Sequence, residues 1–301
     1  MKPSHIVLGI LVAAAWGFNF VVIRWGLNSF PPLFLASTRF AVAAVPAFFL
    51  ARPKIKFGRF VAIGTTWFLG QFAFLFVGMS WGMPPGLASI VMQAQAFLTL
   101  LFAAVFLGEA VRVRQAVSMV IAAVGLAIIG GTVETGAGIS FIGFSLVLAA
   151  SLSWAIGNVL VKQIGATDML ATVCWLSFIP PLPLLALSIV FEGAPAISKS
   201  VEGMTLSGFG VVIYLGLIST IFAYGLFGYL IRRYSAGGVA PFAFLVPVFG
   251  TVFAWAIFGE TFPFWRAVGI CLVLVALGIL LLPSIALGVG KFKGWTISQR
   301  L

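Results

Sequence analysis

Long apolar stretches separated by short polar breaks run through the whole chain. Each stretch holds about twenty residues, the length that an α-helix needs to cross a bilayer. We count ten such stretches, with approximate limits 5–23, 32–51, 60–82, 85–107, 116–133, 139–161, 170–191, 208–230, 238–258 and 266–288. The pattern therefore predicts an all-α membrane protein with ten transmembrane helices.

Composition supports this prediction and argues against a soluble protein. Hydrophobic residues fill 62% of the 301 positions and charged residues only 8%, so a soluble protein of this size could not keep its surface hydrated. The apolar stretches lack the strict alternation of an outer-membrane barrel. The first stretch contains Trp16 and Asn19 and has no convincing cleavage site, which predicts a retained span rather than a signal peptide.

The segment from Pro84 to Glu109 recurs in outline between Gly237 and Glu260. A constant offset of 151 places Gly86, Phe102, Ala103, Gly108 and Glu109 on Gly237, Phe253, Ala254, Gly259 and Glu260. Both segments contain a long apolar run and close with Gly-Glu. Repetition of a membrane-spanning unit predicts a chain built of two related halves.

A second match relates Trp16 and Asn19 in the first span to Trp154 and Asn158 in the sixth. The predicted halves are residues 1–135 and 136–301, within a single integral membrane domain. Five spans per half is an odd number, so the second half must enter the membrane upside down. We therefore expect two inverted five-helix repeats.

The distribution of Lys and Arg predicts the orientation of the protein. With a cytoplasmic N-terminus, thirteen basic residues lie on the cytoplasmic side and three lie outside. The thirteen are Lys2, Arg52, Lys54, Lys56, Arg59, Arg112, Arg114, Lys162, Arg232, Arg233, Lys291, Lys293 and Arg300, and the three are Arg24, Lys199 and Arg266. This bias predicts cytoplasmic N- and C-termini. It also accounts for the net charge of +11, so no nucleic-acid partner is expected.

Several motifs resemble the EamA family of the drug/metabolite transporter superfamily. They are Trp16-Gly17-Phe18-Asn19, Ser37-Thr38-Arg39-Phe40, Gly108-Glu109 and Gly259-Glu260. The resemblance covers the whole chain. Within the family, residues 16–23, 71–76 and 82–97 look most like bacterial exporters of cysteine and O-acetylserine.

The resemblance implies a secondary transporter of the bacterial inner membrane that exports small amino acids or their derivatives by alternating access. It also implies a mid-membrane cavity lined mainly by spans 1, 3, 4, 6, 8 and 9. The alternative is the same fold with another cargo, such as a nucleoside, a sugar, an aromatic amino acid or a hydrophobic cation. The expected partners are a small-molecule substrate and the lipid bilayer, and a homodimer is left open.

Polar side chains inside a span are costly and usually face the bundle interior or a wet cavity. Together with the deeper aromatic residues, they give the candidate substrate-binding set: Trp16, Asn19, Gln71, Phe74, Gln93, Gln95, Trp154, Asn158 and Tyr224. An amide can donate to a carboxylate and accept from an ammonium group. For the two asparagines, contact between helices is the alternative to a cavity role.

Gln93 and Gln95 are two residues apart, so a regular helix would place them on different faces. Gln93 is preferred for the cavity, while Gln95 and Thr99 would form a separate polar stripe. Tryptophans close to span ends, namely Trp67, Trp81, Trp265 and Trp295, are expected to be interface anchors.

Four further residues are predicted to have structural or gating roles. Arg39 is the basic residue well inside a span; it could attract a substrate carboxylate, but a structural lock is favoured. Glu109 and Glu260 are read as ties at the two membrane faces, through nearby cations or by capping a neighbouring helix. Pro247 is a candidate hinge, because proline removes a backbone hydrogen bond and frees a carbonyl.

The sequence argues against other classes of function. It has no nucleophile with a base at hand and no paired carboxylates within the spans, so an enzyme is not expected. Its two cysteines and one histidine do not suggest a metal site, and no cofactor is expected. A channel would need a longer polar lining. No nucleotide-binding motif is present, so we expect gradient-driven transport, with proton coupling left open.

Overall fold

The computed structural model describes residues 1–133, 140–165 and 167–281, without the side chains of 235–237 and 240. The predicted division at 135/136, the end of the tenth span and the tail with Trp295 lie outside the described residues.

The described chain contains ten helices long and apolar enough to cross a membrane, which confirms the all-α prediction. They are α1 (Pro3–Gly26), α2 (Pro32–Phe49), α3 (Phe57–Ser80), α4 (Pro85–Leu107), α5 (Val113–Gly131), α6 (Phe141–Lys162), α7 (Met169–Phe191), α8 (Leu206–Tyr234), α9 (Pro241–Phe258) and α10 (Phe264–Leu281). A short amphipathic helix, Ala194–Glu202, connects α7 to α8.

Local sequence explains many of the helix ends. Prolines occupy the first turns of α1, α2 and α4, where a missing N–H costs nothing. The glycines of the two Gly-Glu motifs, Gly108 and Gly259, have φ values of +67° and +64°. This left-handed conformation favours glycine and ends a helix, so it gives the motif a structural reason in both α4 and α9.

Several helices are interrupted where they approach the middle of the bundle. In α4, a turn at 92–93 separates Pro85–Val91 from Ala94–Leu107. In α7, residues 177–180 separate Met169–Leu176 from Pro181–Phe191. Such breaks can turn adjacent side chains toward the same space.

Two helices contain π-helical segments, Gly64–Gly70 in α3 and Tyr214–Phe222 in α8. The segments begin 150 positions apart, close to the offset of 151 that relates α4 to α9. The inverted repeat stays a prediction, and this correspondence agrees with it. Segments of this kind often occur at functional sites.

Helical turns connect α8 to α9, with no extended loop between Ala223 and Phe258, and the chain reverses direction within that stretch. Tyr234 in α8 hydrogen-bonds His5 at the start of α1, while Trp16 contacts Tyr224. Phe242 in α9 packs near Gly9, also close to the start of α1. Thus α8 runs antiparallel to α1 and α9 runs parallel to it.

Close glycine contacts bring the central helices together. A Cβ on Gly17 in α1 would lie 2.5 Å from the Cβ of Phe249 in α9, and a Cβ on Gly157 in α6 would lie 2.7 Å from the Cβ of Trp67 in α3. α5 and α10 form a separate pair that packs through Gly125 and Gly269. The central helices are therefore in close contact with one another.

The two ends of the bundle differ in charge. We call the end that carries the start of α1, Lys162 and Arg232 the basic end, and the other the opposite end. The basic end carries the ion pairs Glu109–Lys162 and Asp168–Arg232. Glu192 and Glu260 lie at the opposite end.

Candidate functional site

A cavity of about 330 Å³ lies between the central helices, at the lower end of the range of about 300–1,000 Å³ that is typical of small-molecule sites. Its lining includes side chains from α1, α3, α4, α6, α8 and α9, and also from α2 and α7. The lining residues are Trp16, Asn19, Phe20, Arg39, Trp67, Gln71, Phe72, Leu75, Met92, Gln93, Gln95, Trp154, Asn158, Val161, Met169, Ser219, Tyr224, Phe227, Ala243 and Val246.

The cavity is displaced toward the basic end of the bundle. Val161 and Met169 line it at the end of α6 and the start of α7. Toward the opposite end, the lining reaches Phe20 and Leu75, which lie more than one turn inside α1 and α3. Its walls therefore extend to one end of the bundle and stop short of the other.

Asn19 connects α1 to two neighbouring helices at the cavity wall. Its Oδ1 accepts a hydrogen bond from the hydroxyl of Ser219 in α8 at 2.7 Å. The same oxygen is 3.5 Å from Nη1 of Arg39 in α2. Asn19 is 6% exposed, so it both joins helices and lines the cavity. Asn19 therefore combines the two roles considered from the sequence, contact between helices and a position on the cavity wall.

Asn158 has the same double position in α6. Its Oδ1 accepts from the indole Nε1 of Trp67 at 2.9 Å. Its Nδ2 donates to Gln95 Oε1 at 2.8 Å and to Thr99 Oγ1 at 3.1 Å. The polar stripe of Gln95 and Thr99 thus faces Asn158. Asn19 bonds to the π segment of α8 and Asn158 to that of α3, as the proposed repeat would relate them.

Gln93 and Gln95 line the same cavity, so the expectation that they face apart is wrong. The turn at 92–93 interrupts the helix, and the i, i+2 rule applies only to a regular helix. Gln93 Nε2 donates to the carbonyl of Ser89 at 3.3 Å, while Gln95 bonds to Asn158. A regular helical wheel could not have placed both glutamines on one wall.

Gln71 and Phe74 separate in the structure. Gln71 is 4% exposed and lines the cavity, and its Oε1 is buried without a hydrogen-bond partner. Phe74, three residues later, is 40% exposed and is not among the lining residues. The structure therefore does not bring Phe74 to this site.

Arg39 lies at the cavity wall and is 1% exposed. Its Nη2 donates to the hydroxyl of Thr220 at 2.8 Å, and its guanidinium carbon lies 4.3 Å from the ring centroid of Phe72. Its Nε has no hydrogen-bond partner. Within the described part of the chain, no carboxylate forms an ion pair with it.

Aromatic rings form the wall between α1, α3 and α8. Trp16 donates its indole N–H to the carbonyl of Ser219 at 3.0 Å, and its ring lies 5.0 Å from that of Tyr224. Tyr224 also contacts Trp67 at 5.7 Å. Trp154 contributes from α6. These rings leave an amphipathic surface around the amide groups.

Trp67 was expected at the interface, and this was wrong. It is 5% exposed, lines the cavity and bonds Asn158. Its position near the start of a predicted span suggested an anchor, but α3 begins three residues earlier than predicted, at Phe57, and contains the π segment. Trp81 and Trp265, which were also expected at the interface, are more than half exposed near helix ends.

Ser219 and Met169 also line the cavity, and no pattern in the sequence had singled them out.

The two predicted ties differ. The carboxylate of Glu260 accepts hydrogen bonds from the N–H groups of Gly86 and Leu87 at 2.8 and 3.0 Å, which caps the first turn of α4. Glu109 instead pairs with Lys162 at 2.6 Å on the exposed basic end. Neither carboxylate lines the cavity.

Glu192, which the sequence analysis did not single out, makes a second cap at the opposite end. It follows α7 and accepts from the N–H groups of Leu33 and Phe34 at 2.7 and 3.2 Å. Ser188 also donates to this carboxylate at 2.5 Å. Glu192 and Glu260 thus connect helices of the second predicted half to the first turns of α2 and α4.

At the basic end, Asp168 connects α7 to α8 beside Met169. Its carboxylate accepts from the N–H of Ala171 at 2.9 Å and pairs with Arg232 at 2.7 Å. The Ala171 hydrogen bond, followed by the interaction with Arg232, lowers the pKa of Asp168 despite the opposing effect of burial. The carboxylate therefore remains charged near neutral pH.

Pro247 lies in α9, one residue from the cavity-lining Val246. It has no N–H, so the carbonyl of Ala243 four residues earlier lacks its helical donor, and Ala243 also lines the cavity. The carbonyl of Pro247 accepts from Thr251 at 2.8 Å. A hinge at Pro247 stays a prediction.

Comparison with known proteins agrees with this architecture. The EamA-like transporter family model matches residues 3–131 and 141–282. The chain is 40% identical over 284 residues to a Salmonella typhimurium protein named "Probable amino-acid metabolite efflux pump", and 37% identical to an Escherichia coli protein of the same name. Each match covers 93% of this chain and 95% of the relative.

More distant similarity extends the comparison. The Escherichia coli protein named "Uncharacterized inner membrane transporter YedA" is 30% identical, with 89% of each chain covered. A solved crystal structure matches with a TM-score of 0.64 at 16% identity, covering 93% of this chain and 97% of the other; this shows a shared fold alone. The predicted family is confirmed: the chain belongs to the EamA-like transporter family and is a membrane transporter, not an enzyme.

Proposed function

We propose that this protein is a secondary transporter that exports small amino acids or their derivatives, such as cysteine or O-acetylserine, across the bacterial inner membrane. In this proposal the basic end faces the cytoplasm and both termini are cytoplasmic, as the positive charges favour. The observation that carries the proposal is the cavity between helices of both predicted halves, with amide groups on its wall.

The chemistry of the cavity supports a small polar cargo. Asparagine and glutamine can donate to a carboxylate and accept from an ammonium group, and aromatic rings can cover the apolar part of an amphipathic molecule. The names of the Salmonella and Escherichia coli relatives favour amino-acid metabolites over the other cargo classes. Cysteine and O-acetylserine are our specific candidates within that class.

The helix caps at the opposite end and the extent of the cavity toward the basic end support alternating access. At the opposite end, Glu260 and Glu192 bind the first turns of α4 and α2. At the basic end, the cavity wall reaches Val161 and Met169. We therefore interpret this conformation as one that faces the cytoplasm. Rocking of residues 1–135 against 136–301 would open the other side, provided that the two glutamate caps release.

Counterflow in proteoliposomes tests the proposal. Vesicles loaded with unlabelled cysteine or O-acetylserine should take up the labelled compound in a saturable manner. Asn19→Ala should reduce this uptake, because it removes the acceptor of Ser219 at the cavity wall. Asn28→Ala, on the exposed segment between α1 and α2, is the matched control and should leave uptake unchanged. Absence of saturable counterflow with either compound would reject this cargo assignment.

A further inference from the structure

We infer that Arg39 binds the carboxylate of the cargo and that Gln71 accepts a hydrogen bond from its ammonium group, so that the cavity selects zwitterions. This inference rests on the proposed transport of amino acids. Each charged end of the cargo then has its own side chain in the cavity. The family match and the names of the relatives assign no such residues.

Within the described part of the chain, no carboxylate pairs with the charge of Arg39. A guanidinium has five N–H donors and keeps its positive charge in proteins. Here its hydrogen bonds go to two neutral side chains, those of Thr220 at 2.8 Å and Asn19 at 3.5 Å. Such a buried cation is costly unless an anion accompanies it. A substrate carboxylate would supply that anion.

Two side chains that line this cavity have hydrogen-bonding capacity that the described chain does not use. Arg39 Nε is a buried donor without an acceptor, and Gln71 Oε1 is a buried acceptor without a donor. Buried polar groups are nearly always paired, so each exception indicates a missing partner. One missing partner must accept and the other must donate, and a zwitterion provides both.

Aromatic rings lie beside Arg39 and elsewhere on the cavity lining. Phe72 covers the guanidinium of Arg39 at 4.3 Å, which holds its orientation. Trp16, Trp67 and Tyr224 meet across the cavity wall and can receive an ammonium group by cation–π attraction. The cavity thus combines one fixed cation with neutral, electron-rich surfaces.

A purely structural lock, the role favoured for Arg39 from sequence, explains less of the geometry. A lock would direct the guanidinium onto several strong acceptors such as helix-end carbonyls or a carboxylate. Instead, one contact is a good hydrogen bond and the other lies at the distance limit. The lock also gives no reason for the unpaired Oε1 of Gln71 on the same cavity.

Calorimetric binding to the full-length protein in detergent tests the inference. The ligands are cysteine and O-acetylserine, each compared with its methyl ester and its N-acetyl derivative. The ester removes the carboxylate charge, and the acetyl group removes the ammonium charge. We expect the wild-type protein to prefer the zwitterion to either derivative by about 10- to 100-fold.

Three variants assign the preferences to residues. Arg39→Gln should weaken zwitterion binding by about 10- to 100-fold and leave ester binding unchanged, so that the preference over the ester disappears. Gln71→Leu should reduce the preference over the N-acetyl derivative, to which the aromatic rings still contribute, and keep the preference over the ester. Arg24→Gln, which removes an exposed charge at the end of α1 outside the cavity, should keep both preferences.

Arg39→Lys keeps the positive charge and provides a second test in case Arg39→Gln does not fold. A lysine cannot reproduce the planar fork of arginine, so we expect a reduced preference over the ester in a folded protein. A wild-type preference over the ester that persists in Arg39→Gln, or in Arg39→Lys if only that variant folds, would overturn the inference. Failure of the wild-type protein to bind any of these zwitterions would do the same.

Counterflow with the same preparations separates this inference from the proposed function. Binding preferences that shift as expected without saturable transport would reject export and keep the two assigned side chains. Saturable transport with preferences that do not depend on Arg39 or Gln71 would keep export and reject the assignment.

Discussion

Glu260, which follows the glycine at the end of α9, caps α4 by accepting a hydrogen bond from the N–H of Gly86 at 2.8 Å. Its counterpart in the proposed repeat, Glu109, ends α4 and pairs with Lys162 instead. The same Gly-Glu motif therefore joins α9 to α4 at one end and α4 to α6 at the other. This difference leads to separate predictions for the two residues.

Replacing Glu260 by alanine should destabilise the protein. The change removes the acceptor for two N–H groups in the first turn of α4, and loss of a helix cap costs about 0.5–2 kcal/mol. We expect a lower thermal unfolding midpoint in detergent. Glu202→Ala, at an exposed position before α8, is the control. Equal midpoints for the two variants would show that the cap contributes nothing.

Stability should depend on pH through Glu260. Burial raises the pKa of Glu260, and the N–H groups of Gly86 and Leu87, with the charge of Arg266, oppose this only in part. The native state therefore holds the proton more tightly than the unfolded chain. The contribution of this group to stability is present below the unfolded pKa and is lost as pH rises through the native pKa.

Accordingly, we expect the midpoint of the wild-type protein, measured relative to Glu260→Gln, to fall as pH rises from the ordinary carboxyl value of 4.5. The glutamine variant does not titrate at this position, so the difference isolates Glu260. A flat difference, or one that rises with pH, would contradict the expected sign.

Glu109→Gln should change stability little. The Glu109 and Lys162 side chains are 41% and 54% exposed, and exposed ion pairs contribute only about 0–1 kcal/mol. We expect a smaller change in midpoint than for Glu260→Ala, and one that shrinks further at high salt. A shift as large as that of Glu260→Ala would mean that Glu109 has a structural role beyond this pair.

Gly17→Ala should disturb the contact of α1 with α9. The new Cβ would lie 2.5 Å from Phe249 Cβ and 2.8 Å from the backbone nitrogen of Gly250, so the helices must separate. Overpacking of this kind costs about 1–3 kcal/mol. Gly131→Ala, where no atom lies within 4 Å of the added Cβ, is the matched control. A similar unfolding midpoint in both variants would show that α1 and α9 are not closely fitted.

Asn158→Ala should lower both stability and counterflow. It leaves the indole N–H of Trp67 without its acceptor and removes the donor to Gln95 and Thr99. An unsatisfied buried group costs about 1–3 kcal/mol. Asn158→Asp keeps the acceptor for Trp67 but removes the donated hydrogen bonds, so its stability should be intermediate. Full counterflow in the alanine variant would place Asn158 outside the transport site.

The number and limits of the helices were predicted from the sequence with few errors. Each apolar stretch must satisfy its own backbone hydrogen bonds in a membrane, so a span is encoded locally. For example, the predicted span 85–107 corresponds to Pro85–Leu107. The family was also predicted, because its motifs are continuous stretches. The π segments and the turn at 92–93 carried no comparable signal.

The environment of each polar side chain was decided only by the tertiary structure. Gln93 and Gln95 share a cavity because the turn at 92–93 interrupts α4 at Gln93. Trp67 faces inward because α3 begins earlier than predicted and α6 presents Asn158 to it. Phe74 has the same apolar character as its buried neighbours but is exposed.

For Arg39, the sequence by itself established a cation inside a span, and the structure established that no carboxylate of the described chain neutralises it. That distinction depends on which helices meet, since the hydrogen-bond partners of Arg39, Thr220 and Asn19, are 181 and 20 positions away in the chain. The sequence determined the helices because their hydrogen bonds are local. The tertiary structure decided the site because its contacts join residues that are distant in the chain.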